Sequence, residues 1–118
     1  MIDEVLKGVL TNIDGARCVL LAATDGVIVA TALAPGGPAP DVVAASLADL
    51  FRRVASAHRE AGLAPPAEFT TSGVGEQAAV RAVTGQYLLL AVLDGVASLG
   101  RTRFELRKAA SVLQPELV

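Results

Sequence analysis

The chain has 118 residues, 53% of them apolar, with ten basic and twelve acidic side chains and a net charge of −2. That length suits one domain with one core, so a single domain over residues 1–118 is expected, and the apolar content speaks against disorder. Near-balanced charge argues against nucleic acid as a partner, and no apolar run approaches the roughly 20 residues of a membrane span.

In chain order, residues 1–14 read as a helix. Ile2, Leu6, Val9 and Ile13 recur at helical spacing on one face, and Gly15 stands where a helix-terminal glycine belongs. The opening "MIDEVLKGVL" carries acids early and lacks the basic-then-apolar order of a secretory signal. Residues 17–23 and 27–33 then flank Asp25-Gly26, a strong hairpin signal because the tight turn needs positive φ. The first of these strands is apolar throughout 18–23, which predicts a place near the sheet centre with helices on both faces. Its Cys18 is the only cysteine. It is expected to be buried and inert, and a lone cysteine fits a reducing, cytoplasmic compartment.

Residues 34–40, "APGGPAP", form a loop, and Asp41 is a candidate N-cap for a long helix that Gly62 and Pro65-Pro66 end. Three strands follow: a short polar one at 68–73, then 77–83, then an apolar and therefore central one at 86–93. Asp94-Gly95 turns the chain into a last helix ending near Gln114. Thr102 and Glu105 could form a capping box there, with Ser98 as the competing start. The expected class is α+β: a five-stranded antiparallel sheet with the long helix on one face and the two terminal helices on the other.

The long helix, "DVVAASLADLFRRVASAHREAG", has an apolar side wider than one sheet face needs. On a wheel of about 100° per residue, Asp49, Arg52, Arg53, Ser56, Arg59 and Glu60 share a solvent arc of about 120°. Val43, Leu47, Leu50, Val54 and Ala61 make one apolar stripe, suited by its bulk to pack on the sheet. Ala44, Ala48, Phe51, Ala55 and His58 make a second. Together they span about 180°, where a surface helix needs little more than about 100°. Covering Phe51 is worth about 1.5–3 kcal/mol. An isologous contact between two copies would cover the second stripe, and the alternative is that loop 34–40 folds over it. The polar strand alternates Glu68, Thr70 and Ser72 with Phe69 and Thr71, an edge pattern able to pair with another chain. The candidate dimer interface is therefore Ala44, Ala48, Phe51, Ala55 and His58 with Phe69, Thr70 and Thr71.

The segments "DGARCVLLAATDGVIVATA" and "GQYLLLAVLDGVASLGRTRFELRKA", in this order with the elements between them, resemble the roadblock/dynein light chain family. The shared pattern is the hairpin Asp25-Gly26-Val27-Ile28-Val29-Ala30 and the apolar last strand leading into Leu99-Gly100-Arg101-Thr102-Arg103-Phe104-Glu105-Leu106. The resemblance implies the three-layer fold given above and a homodimer joined through the long helix and third strand. It implies a bacterial, non-catalytic adaptor or regulator that binds a Ras-like small GTPase, although other members of the family attach cargo to dynein. The family has no invariant binding side chains, and the Pro/Gly loop and the polar third strand depart from its pattern.

Chemical motifs are missing. "SGVGEQ" holds two glycines but lacks the lysine and following apolar helix of a phosphate-binding loop. His58 is the only histidine, has no ligand pattern around it, and reads as a packing or interface residue. No catalytic, cofactor-binding or metal-ligating set emerges, so no cofactor and no enzymatic activity are expected. Arg101, Arg103, Arg107 and Lys108 read as a solvated helix face, with a face toward an acidic partner or phosphates as the alternative. Arg52, Arg53 and Arg59 border the second stripe and are the candidate partner-binding residues, since arginine suits interfaces. The competing function is a small-molecule sensor of similar architecture, which would show a sizeable apolar pocket between helix and sheet.

Overall fold

Asp25 and Gly26 turn the chain as expected. Gly26 takes φ +94°, its N–H bonds the Ala23 carbonyl, and Asp25 Oδ1 accepts the Val27 N–H at 3.1 Å. Glycine is needed here twice over, because a Cβ would also sit 3.2 Å from Ala45 Cα on the long helix. The computed structural model describes residues 1–117. They form α1 (Ile2–Asn12), β1 (Ala16–Ala23), β2 (Ile28–Leu33), α2 (Pro40–Glu60), β3 (Glu68–Ser72), β4 (Glu76–Ala82), β5 (Tyr87–Asp94), α3 (Leu99–Leu113) and a 3-10 turn, Gln114–Leu117.

The five strands make one antiparallel sheet in the order β2-β1-β5-β4-β3. The two continuously apolar strands, β1 and β5, lie side by side inside it, in register from Cys18↔Val92 to Ala23↔Tyr87. Their alternate side chains serve two cores. Val19, Leu21, Leu89, Ala91 and Leu93 join Leu6, Val9, Ile13, Leu106, Ala109 and Leu113 beneath α1 and α3. Cys18, Leu20, Leu88 and Leu90 join Ala44 and Ala48 beneath α2. A strand covered on both faces has no polar side to alternate with.

Helix ends depart from expectation in three places. Gly15 is not the terminal glycine of α1: the helix stops at Asn12, Ile13 is already extended, and Gly15 lies in the turn into β1. Asp41 does not cap α2. Ala39 does, because Pro40, with φ fixed and no N–H to satisfy, takes the first helical position, leaving Asp41 in the first turn. Thr102 and Glu105 form no capping box. Ser98 Oγ accepts the Arg101 N–H at 3.1 Å, while the buried Thr102 hydroxyl donates to the Ser98 carbonyl and Glu105 turns inward. The C-terminus of α2 follows expectation: Gly62, at φ +73°, donates to Arg59 and Leu63 donates to His58, a Schellman closure.

Candidate protein–protein interface

α2 lies over β1, β2 and β5, and two of its alanines, Ala44 and Ala48, face them. Ala44 and Ala48 are 0% exposed. Side chains this small let the helix backbone settle close to the sheet, which turns the bulkier stripe sideways. The sheet contact thus centres on Ala44 and Ala48 of the second stripe, with Phe51 of that stripe and Val43 and Leu47 of the first packed at its margins. Ala44 and Ala48 are covered within their own subunit and offer no surface to a second copy. Phe51 is half-buried and stacks on Phe69 of β3, ring centroids 6.2 Å apart and planes at 23°. Loop 34–40 is not what covers this side of the helix; the sheet itself does.

The flank left open is Val43, Leu47, Leu50 and Val54, all half-buried. Beside the N-terminal half of this flank, an apolar groove of about 400 Å³ separates α2 from the β3–β4 part of the sheet, between Val43 and Leu47 on one side and Thr71, Ala78 and Val92 on the other. The Phe51–Phe69 stack lies further along α2, where helix and β3 meet. The bulk of Val43, Leu47, Leu50 and Val54 was the available signal. A helix packs most closely through its smallest residues, and the wide branched ones are then the ones left over.

β3 is an edge strand, hydrogen-bonded to β4 alone, so its other side presents unpaired backbone groups. Thr70 and Thr71 are exposed there, and Phe69 is half-buried. Ala55 is half-buried, and His58 directs Nδ1 to the Ala64 carbonyl at 2.9 Å, bracing the loop that follows α2. Of the eight residues expected at a dimer contact, Phe69, Thr70 and Thr71 therefore lie on the open edge strand, Ala44 and Ala48 are covered by their own sheet, and Phe51, Ala55 and His58 are half-buried.

The arginines of α2 fall into two kinds. Arg52 bonds the Thr24 carbonyl, tying the β1–β2 hairpin to the helix, and pairs with Asp49 at 3.2 Å. Arg53 also pairs with Asp49, at 3.1 Å, and points outward, as Arg59 does. At about 100° per residue, Arg52 and Arg59 emerge on the flank opposite Leu47 and Val54, not beside it.

The basic residues of α3 are not a merely solvated face. Arg103 and Arg81 clamp the Glu68 carboxylate, with Arg107 at 3.9 Å. Arg101 and Lys108 reach the fully buried Glu105, whose Oε1 accepts the Asn12 amide at 3.1 Å. For both acids, burial pushes the pKa up. The hydrogen bonds and charges of Arg103 and Arg81 on Glu68, and of Asn12, Lys108 and Arg101 on Glu105, outweigh it, so both lie below the usual carboxylate range. Burial raises the Cys18 thiol pKa, against a smaller lowering by the Val92 backbone. Among the described residues no group of three or more His, Cys, Asp or Glu is arranged to hold a metal, and no helix is long and apolar enough to cross a membrane.

No protein-family model and no curated protein matches the sequence. Solved structures do. An MglB with a tetrameric arrangement is 26% identical over 97% of this chain and 85% of that one, with a TM-score of 0.89. The gliding protein MglB of Thermus thermophilus is 25% identical over 97% and 86%, at 0.87. A Roadblock/LC7 domain from Streptomyces avermitilis, at 17% identity over 98% and 96%, superposes at 0.88 and speaks to fold alone.

Proposed function

The chain has the roadblock-family fold, and on that premise we propose that it is a non-catalytic, homodimeric regulator of a Ras-like small GTPase. The observation that carries this is the open apolar groove beside the unpaired edge of β3. A second copy related by a two-fold axis would bring its own Val43, Leu47, Leu50 and Val54 against the same flank and its own β3 against this one. The two sheets would become one, and two half-open surfaces would close each other. Likeness to MglB structures at 25–26% identity supports a regulator rather than an enzyme.

In such a dimer the two α2 helices lie together, with Arg53 of both copies beside the seam and Arg59 on the outer flank of each helix, and these cations are the contacts offered to the GTPase. No side chain would enter the chemistry. The dimer would bind one arrangement of the GTPase switch loops more tightly and so populate it. Co-sedimentation with the small GTPases of the source organism, loaded with GDP or with a non-hydrolysable GTP analogue, tests this. Binding that depends on the nucleotide is expected, and absence of binding in both states removes the proposal.

A small-molecule module has one observation in its favour, since a groove of about 400 Å³ falls within the size of ligand pockets. Its open side along the β3 edge favours a protein partner instead. A ligand that co-purifies with the chain and raises its melting temperature would reverse that preference.

A further inference from the structure

The face of the sheet opposite α2 carries a second, chemically different surface. Five of the ten cations, Arg81, Arg101, Arg103, Arg107 and Lys108, gather there around only two acids, Glu68 and Glu105. The other five share the rest of the chain with ten acids. Glu105 is fully buried and the Glu68 side chain is 17% exposed, whereas each of the four α3 cations is more than half exposed. The outward side of α3 is therefore positive on a chain that is otherwise negative.

An aromatic stands in the middle of this positive face. Phe104 is 54% exposed, with Arg101 5.8 Å and Lys108 5.5 Å from its ring centroid. Beside Lys108, a notch of about 220 Å³ opens between α1 and α3, lined by Val5, Gly8, Ala109 and Val112, with the exposed Glu4 and the buried Glu105 also on its rim. A Cβ on Gly8 would meet nothing within 4 Å, so the notch has room for an incoming side chain.

We propose that this notch and its cationic, aromatic flank dock an acidic amphipathic segment of a partner protein. One apolar side chain of the segment enters between α1 and α3, a second covers Phe104, and its carboxylates meet Arg101, Arg107 and Lys108. Charge complementarity selects the acid, and the notch selects a protein over a phosphate backbone, which has no side chain to insert. A lipid surface would require the apolar side of α3, and that side is buried in the core. The site is independent of the GTPase proposal, because it lies across the sheet from α2.

The test is a titration of the whole chain into a fluorescent, glutamate-rich helical peptide with leucines on one face. Parallel samples hold the same peptide with glutamine for glutamate, phosphatidylserine vesicles, and single-stranded DNA. The acidic peptide is expected to bind, the glutamine peptide roughly tenfold more weakly, and added salt to weaken the complex. Phe104→Ala and Arg107→Ala, both at exposed positions, should each weaken it by roughly tenfold with unchanged melting curves. Gly8→Leu should block the notch. Absence of peptide binding, equal binding of the glutamine peptide, indifference to Phe104→Ala, or binding of vesicles or DNA in preference to peptide would each overturn the proposal.

Discussion

Phe51 of α2 and Phe69 of β3 stack within one subunit, 6.2 Å apart and inclined by 23°. This contact joins the long helix to the edge strand, so the two elements proposed to meet a second copy are held in one rigid unit.

Removing either ring should loosen that unit. Phe51→Ala is expected to cost about 2 kcal/mol, below a fully buried case because the ring is half-buried. Combined with Phe69→Ala, a coupling of about 0.5–1.5 kcal/mol is expected in a double-mutant cycle by urea denaturation at one fixed protein concentration. Strictly additive costs would mean that the stacking contributes nothing.

Adjacent residues on α2 should behave in opposite ways. Leu47→Glu puts a charge on the open flank and should yield folded monomers by light scattering. Ala48→Leu overfills the helix–sheet contact and should cost about 1–3 kcal/mol while leaving the native mass unchanged. A dimer that tolerates Leu47→Glu would reject the assignment of this flank.

Acid should expose the buried carboxylate. Because the folded Glu105 pKa lies below its unfolded value, the unfolded chain binds that proton more readily. Its contribution is present above about pH 4.3 and is lost as pH falls through the lower folded value. Glu68 acts in the same direction. Glu105→Gln should lower stability at neutral pH and flatten, without abolishing, the decline between pH 5 and the acid limit. An unchanged slope in thermal melts against pH would contradict this.

Arg53→Ala with Arg59→Ala should preserve the dimer and weaken the GTPase complex, read by titration calorimetry. Arg52→Ala should instead destabilise the chain modestly, because Arg52 holds the Thr24 carbonyl. Undiminished GTPase affinity in the double variant would exclude Arg53 and Arg59 from that contact.

Most of the fold could be read from residue patterns. Strands β1 and β5 declared themselves by unbroken apolar runs, the hairpin by Asp25-Gly26, and the end of α2 by Gly62. What escaped was the side on which α2 rests. Periodicity shows how wide an apolar arc is but not where its centre lies over the sheet; Ala44 and Ala48 look like a weak stripe until close backbone approach is weighed against bulk. The same holds for Glu68 and Glu105. In sequence they stand as separate charges, and only the pairing of β3 with β4 and the packing of α1 on α3 bring Arg81 and Asn12 to them. Long-range partners of this kind leave no local spacing to detect.

Sedimentation equilibrium of the purified chain over a wide concentration range tests the dimer most directly. The expected mass is twice the 12.0 kDa of one chain, reverting to a single chain in Leu47→Glu. A wild-type mass of 12.0 kDa at every concentration would mean that the Val43–Val54 flank and the β3 edge have no second copy to meet.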